Sequence, residues 1–209
     1  MRHIMRRAIQ LIGVILLLPL WFAGDADAVF EAALRGDYDM TLTRTCSSDV
    51  TNGTPSFVLG PFGLRGTATF DGIGGGSFSG ETLNMPIQAI TVPSGTGIDV
   101  GGGREIIVNR ASETCTLTYT VNADGSFTGT MNCNLTFLLG GPAPAPGQTA
   151  TLNGIKLNGK IALDGTNLVL GSTEANSTTP ETFTVTSGTG SGTSQKRICN
   201  GTGVATSRR

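Results

Sequence analysis

Residues 114–137 read TCTLTYTVNADGSFTGTMNCNLTF, and the pattern of this stretch decides the fold class. Cys115, Leu117, Tyr119 and Val121 alternate with Thr114, Thr116, Thr118 and Thr120. After a break at residues 122–126, Phe127, Met131, Cys133, Leu135 and Phe137 alternate with Thr128, Thr130, Asn132, Asn134 and Thr136. A period of two with one apolar and one polar face is the signature of a half-buried β-ribbon. Ala123-Asp124-Gly125 suits a three-residue hairpin loop, with Gly125 in the left-handed conformation that closes it. If Asn122 and Ser126 close that loop as a hydrogen-bonded pair, Val121 faces Phe127. Counting back by twos then sets Cys115 opposite Cys133, at a non-hydrogen-bonded site where Cα atoms lie about 4.5 Å apart. That is within reach of a disulfide, whereas a slip of one residue would put the two cysteines on opposite faces. The register therefore predicts Cys115–Cys133 and leaves Cys46–Cys199 to join the first strand to the last.

The same alternation extends in both directions. Tyr38, Met40, Leu42 and Cys46 oppose Asp37, Asp39, Thr41, Thr43 and Thr45. Leu64, Ala68 and Phe70 follow, then a glycine turn at 71–76 and a return strand from Phe78. Residues 85–92 and 105–108 are more continuously apolar, with a loop at 95–103 between them, and 140–147 form a proline-rich excursion. Ile155, Leu157, Ile161 and Leu163 lead to an Asp164-Gly165 turn, with Leu168 and Leu170 returning. A polar loop at 171–180 precedes strands at Phe183–Val185 and Arg197–Ala205. The chain thus reads as all-β, a meander of about eight to ten strands joined mainly by hairpins. Such a meander must close or stack to hide its edges. A single antiparallel β-barrel is the first expectation, and a two-sheet β-sandwich the alternative. A membrane barrel would need aromatic girdles and an apolar outer face. Here the outer face is Thr and Asn, and the chain ends in Ser207-Arg208-Arg209 rather than an aromatic strand.

The N-terminus has the three zones of a secretory signal. Arg2, Arg6 and Arg7 precede an apolar run from Ala8 to Ala23, and Ala26 and Ala28 supply the small-x-small cleavage pattern. Residues 1–28 are therefore expected to be a cleavable signal peptide and 29–209 the mature β-barrel domain, exported to the periplasm or the exterior. The apolar run is short for a span of about 20 residues, so no membrane span is expected after cleavage. Four cysteines in such a compartment imply two disulfides. The only histidine, His3, and the only tryptophan, Trp21, lie in the segment to be removed.

That composition narrows the chemistry. Without histidine the mature chain is without Ser-His-Asp and Cys-His nucleophilic sites and histidine metal sites. The basic residues are scattered, which argues against a nucleic-acid surface. Residues 154–160 match a phosphate-loop spacing by count, but Ile161 stands where Ser or Thr should hold magnesium and a strand follows. Asp37 and Asp39 share a face of the first strand, where a pair could suit acid/base work or a cation, and read first as a solvated outer surface. Arg44 falls on the otherwise apolar inward face. There it would contact an anionic ligand or plug the barrel mouth, unless a bulge turns it outward. The expectations are no metal, no cofactor and no catalytic group, hence a non-enzyme.

Two stretches, Ala68-Thr69-Phe70-Asp71-Gly72-Ile73-Gly74 and residues 119–126, carry a spacing that resembles small secreted bacterial barrels, similar to lipocalin/calycin-type or allene-oxide-cyclase-like proteins. Gly36-x-Tyr38 and Cys199-Asn200-Gly201-Thr202-Gly203 agree with it. The resemblance implies a closed antiparallel barrel and carries over no catalytic residue, because the matching positions are turn and packing residues. A barrel of this kind suggests a small apolar or amphipathic ligand in its interior. The alternative is a structural or surface-interaction protein with a filled core.

Overall fold

A computed structural model describes residues 32–49, 60–85, 87–89, 98–99, 101, 103–106, 108–139, 145–172 and 180–208. The expected signal peptide and its cleavage site lie outside the described residues. So do residues 91–97, the greater part of the proline-rich excursion (140–144) and the loop at 173–179.

Among the described residues twelve strands follow one another: β1 (Arg35–Asp49), β2 (Gly60–Asp71), β3 (Gly75–Asn84), β4 (Ile87–Ala89), β5 (Ile98–Asp99), β6 (Arg104–Ile106), β7 (Asn109–Val121), β8 (Ser126–Leu139), β9 (Thr149–Ile161), β10 (Asn167–Ser172), β11 (Glu181–Val185) and β12 (Ser194–Ser207). Eight of them run β1-β2-β3-β7-β8-β9-β10-β12, and β1 pairs with β12 to close the sheet on itself. The chain is therefore an antiparallel barrel, and the sandwich alternative falls away. β11 lies beyond the end of β10 and pairs with both β9 and β12. β4, β6 and β5 form a separate small sheet between β3 and β7.

The hairpin of β7 and β8 has the register that its alternation requires. Asn122 N–H donates to the Ser126 carbonyl at 2.9 Å, Gly125 has φ of 77°, and Val121 faces Phe127. Cys115 faces Cys133, and the two are disulfide-bonded with Cα atoms 4.0 Å apart. Cys46 and Cys199, opposite each other on β1 and β12, form the second disulfide. Two disulfides are compatible with an extracellular or periplasmic location. Among the described residues no helix is long and apolar enough to cross a membrane, which says nothing of strands.

One detail departs from expectation. β9 ends at Ile161, so Leu163 sits in the turn, 86% exposed, rather than continuing the strand. Residues 199–203 lie within β12, where the last strand was expected, and the glycines there serve packing. A Cβ at Gly201 would lie 2.8 Å from Arg44 Cγ and 2.2 Å from the Thr43 carbonyl oxygen. Glycine here lets β12 pass close under the Arg44 side chain.

Inward residues of the eight strands make one core, from Tyr38 and Phe70 through Leu117 and Met131 to Leu152 and Leu170. One end of it is filled. Phe70 meets Tyr38, Tyr119 and Phe127 edge-on, with ring centres 5.2, 5.3 and 6.3 Å away, while Tyr119 and Phe127 stack. Leu34, just ahead of β1, is fully buried over this cluster. The Tyr119 hydroxyl donates to the Leu34 carbonyl and accepts from Gly72 N–H, and the Tyr38 hydroxyl donates to the Gly165 carbonyl. The rings thus bury their area with both polar tips satisfied.

Candidate ligand-binding cavity at the open end

Arg44 is where strand alternation puts it. β1 keeps its pairing with β2 and β12 through this residue (Arg44 opposite Phe62 and Gly201), so no bulge rotates it outward. Its side chain points into the barrel and is 6% exposed. It does not stand alone. Glu113 on β7, Glu181 on β11 and Arg197 on β12 face the same space. Each obeys the alternation of its strand. Glu113 is two residues before inward Cys115, Arg197 two before inward Cys199, and Glu181 is in phase with inward Phe183 and Val185. Arg44 itself is two residues before Cys46.

These four side chains border a cavity of about 300 Å³. Its apolar wall is Leu42, Leu64, Ala111, Met131, Leu135, Phe137, Leu152 and Ile155. Its outer rim includes Thr189, Gly190 and Thr193, all exposed, so the cavity reaches the surface at the end opposite the aromatic cluster. Asn84 and Asn109, paired across β3 and β7, complete the polar lining.

Arg44, Glu113 and Glu181 are buried, while Arg197 is half-buried at the cavity mouth. An Arg44 terminal nitrogen donates to Glu181 Oε2, a pair with both partners buried. Such a pair is held against a large desolvation cost and is costly to break from one side. The Arg197 guanidinium lies over the Phe183 ring at 4.1 Å and near the Phe62 ring at 5.5 Å, a cation held by two aromatic faces. Burial lowers its pKa to about 10, opposed by the charge of Glu181, so it remains a cation at neutral pH. Glu113 is 3% exposed, and burial first and the Glu181 charge second push its carboxyl up to about 7, against the pull of Arg44 and Arg197. Three buried polar atoms have no hydrogen-bond partner among the described residues: Arg44 Nε, Asn84 Oδ1 and Asn109 Oδ1. Arg44 Nε and Asn109 Oδ1 belong to residues only 6% exposed.

Each disulfide has one of the glutamates over it. Glu113 lies with Cys115 and Cys133, and Glu181 with Cys46 and Cys199, the ligand-type atoms of each trio within 4.8 Å of one another. Neither trio suits a metal, because metal binding needs thiolates and these sulfurs are bonded to each other. Asp37 and Asp39 are on the outer face. Asp37 accepts from the Thr69 hydroxyl at 2.7 Å and Asp39 pairs with Arg208, which makes them surface links between neighbouring strands.

Of the expected site residues, Arg44 lines the cavity and the four cysteines brace its walls. Sequence reasoning missed Glu113, Glu181, Arg197 and Asn109. The signal was present for the first three, since each falls on an inward position of a strand recognised from its neighbours. No protein-family model, curated protein or solved structure matches this chain, so the site rests on its own geometry.

Proposed function

We propose that this chain is an exported, non-enzymatic binding protein that holds a small amphipathic ligand in the open end of its barrel. The observation that carries the reading is the set of buried orphan groups around the cavity. Arg44 Nε is a donor, and Asn84 Oδ1 and Asn109 Oδ1 are acceptors, all without partners beside an apolar wall. Buried polar atoms are ordinarily satisfied, and leaving one unmade costs about 1–3 kcal/mol. A ligand with a polar head that accepts from Arg44 Nε and an apolar body covers Leu42, Leu135 and Leu152 at the same time. About 300 Å³ is at the small end of ligand sites, which favours a compact molecule over a long lipid. Export is supported by the signal-like pattern of residues 1–28 and by the two disulfides.

Native mass spectrometry of the protein purified from its source tests this directly. A bound adduct of a few hundred daltons at most is expected, and it should vanish in Leu152→Trp, which fills the cavity. A bare protein mass, with no change in melting temperature on adding amphipathic compounds, would instead favour a structural protein whose Thr-rich outer face meets a partner.

A further inference from the structure

Building on that ligand-binding reading, we infer that the ligand is a small amphipathic monoanion of the carboxylate class. Its head lies between Arg44 and Arg197, and Glu113 takes up a proton as it binds. The first support is the state of the two guanidinium groups. Arg44 has one terminal nitrogen on Glu181 but a buried Nε with no acceptor. The Arg197 guanidinium carbon lies 4.1 Å from the Phe183 ring centre and 5.5 Å from that of Phe62, and the group forms no ion pair with any described carboxylate. No described carboxylate occupies its N–H groups, and planar guanidinium edges suit a carboxylate. The apolar end of such a molecule would run along Leu42, Leu135, Leu152 and Ile155.

The second support is the charge balance. The groups facing Glu113 are Arg44 from β1, Glu181 from β11 and Arg197 from β12. The adjoining strands β3 and β8 set Gly80 and Leu135 beside it, and Glu81 and Arg110 pair with each other on the outer surface. With Glu113 neutral, the four side chains carry one net positive charge, which one anion cancels. With Glu113 ionised they are already neutral, and an entering anion would be an uncompensated buried charge. The carboxyl titrates close to neutral pH, so the two binding events are linked: anion in, proton on.

The test is calorimetric titration of the purified protein with octanoate, octanol and octylamine, at pH 6 and pH 8.5. Octanoate is repeated in two buffers of different ionisation enthalpy, so that protons are counted. Octanoate should bind at least tenfold more tightly than octanol at pH 6, and about tenfold more weakly at pH 8.5 than at pH 6, with net proton uptake near pH 7. Arg197→Gln should lose at least tenfold in octanoate affinity. Glu113→Gln should abolish the proton uptake and bind octanoate about tenfold more tightly than wild type at pH 8.5. If octanol or octylamine binds as well as octanoate, the anion assignment is overturned and the ligand-binding reading stands. Octanoate binding without proton uptake in the wild-type protein overturns the linkage, whether or not the variants fold. Binding of none of the three compounds overturns both readings.

Discussion

At the closed end of the barrel Tyr38, Phe70, Tyr119 and Phe127 fill the interior ring against ring. At the open end Arg44, Glu113, Glu181 and Arg197 stand around a cavity of about 300 Å³. Eight strands run through the barrel, but at the open end β11 also pairs with β9 and β12 and brings Glu181 and Phe183 to the cavity. Along the shared strands what changes is the residue type carried on the inward positions. In the closed half the two tyrosine hydroxyls find backbone partners, and no polar tip is wasted. In the open half three buried polar atoms go without a partner among the described residues. A closed barrel of this size has enough continuous sheet and core to tolerate an end that is destabilising by itself.

The comparison can be broken or sharpened by substitution. The largest effect is expected from the seam that both halves share. Replacing Cys46 and Cys199 with Ala opens a loop of 153 residues and should cost about 5 kcal/mol by the chain-entropy model, measured by urea unfolding. The hairpin disulfide, separated by only 18 residues, should cost about 3 kcal/mol by the same measurement. If the two losses come out equal, loop length is not what the seam contributes. Next, Phe70→Ala removes the hub of the closed end and should cost about 4 kcal/mol, while leaving affinity for an amphipathic probe at the open end within twofold. A parallel loss of affinity would show that the two ends are not independent.

Glu113→Gln acts on the other half. A glutamate whose carboxyl is raised from 4.5 to about 7 on folding releases its proton first in the unfolded chain. Stability is therefore greatest below the unfolded value and falls as pH rises between those two values, by on the order of 3 kcal/mol. Urea midpoints from pH 4 to pH 8 should show this decline in the wild-type protein and a flatter profile in Glu113→Gln. Smallest of all, Arg110→Gln breaks the exposed pair with Glu81 on the outer surface and should leave the melting temperature unchanged within measurement.

Much of the fold was legible because β-structure with one wet face writes itself in the sequence at a period of two. From Thr114 to Phe137 the alternation was unbroken enough to give the register and the disulfide together. The charges at the open end were written in the same code but read against expectation. Glu113 stands one residue outside the stretch where threonines made the alternation obvious, and in phase with Cys115. Arg197 is in phase with Cys199 in the same way. A charged residue on an inward position looks like the end of a strand when composition is the guide. Only its neighbours across the sheet show that the strand continues. Asn109 could not have been found, because its orphan oxygen is a fact about what does not surround it. Leu163 was misread for the converse reason, since an apolar residue at the end of an alternating run looks inward even where the strand has already turned.

The pairing of β1 with β12 also has a consequence in time. The chain is made from one end, and β1 cannot meet its second neighbour until β12 has emerged, 153 residues after Cys46 when counted at the disulfide. At a synthesis rate of roughly 5–20 residues per second that is a wait of about 8 to 30 s. Through that interval β1 is an unpaired edge, the kind of surface that recruits other chains. Its outward run of Asp37, Asp39, Thr41 and Thr43 puts acid and hydroxyl groups along that waiting edge. Asp39 later takes Arg208 as its partner from beyond β12. Charged residues on such an edge disfavour its pairing with other chains.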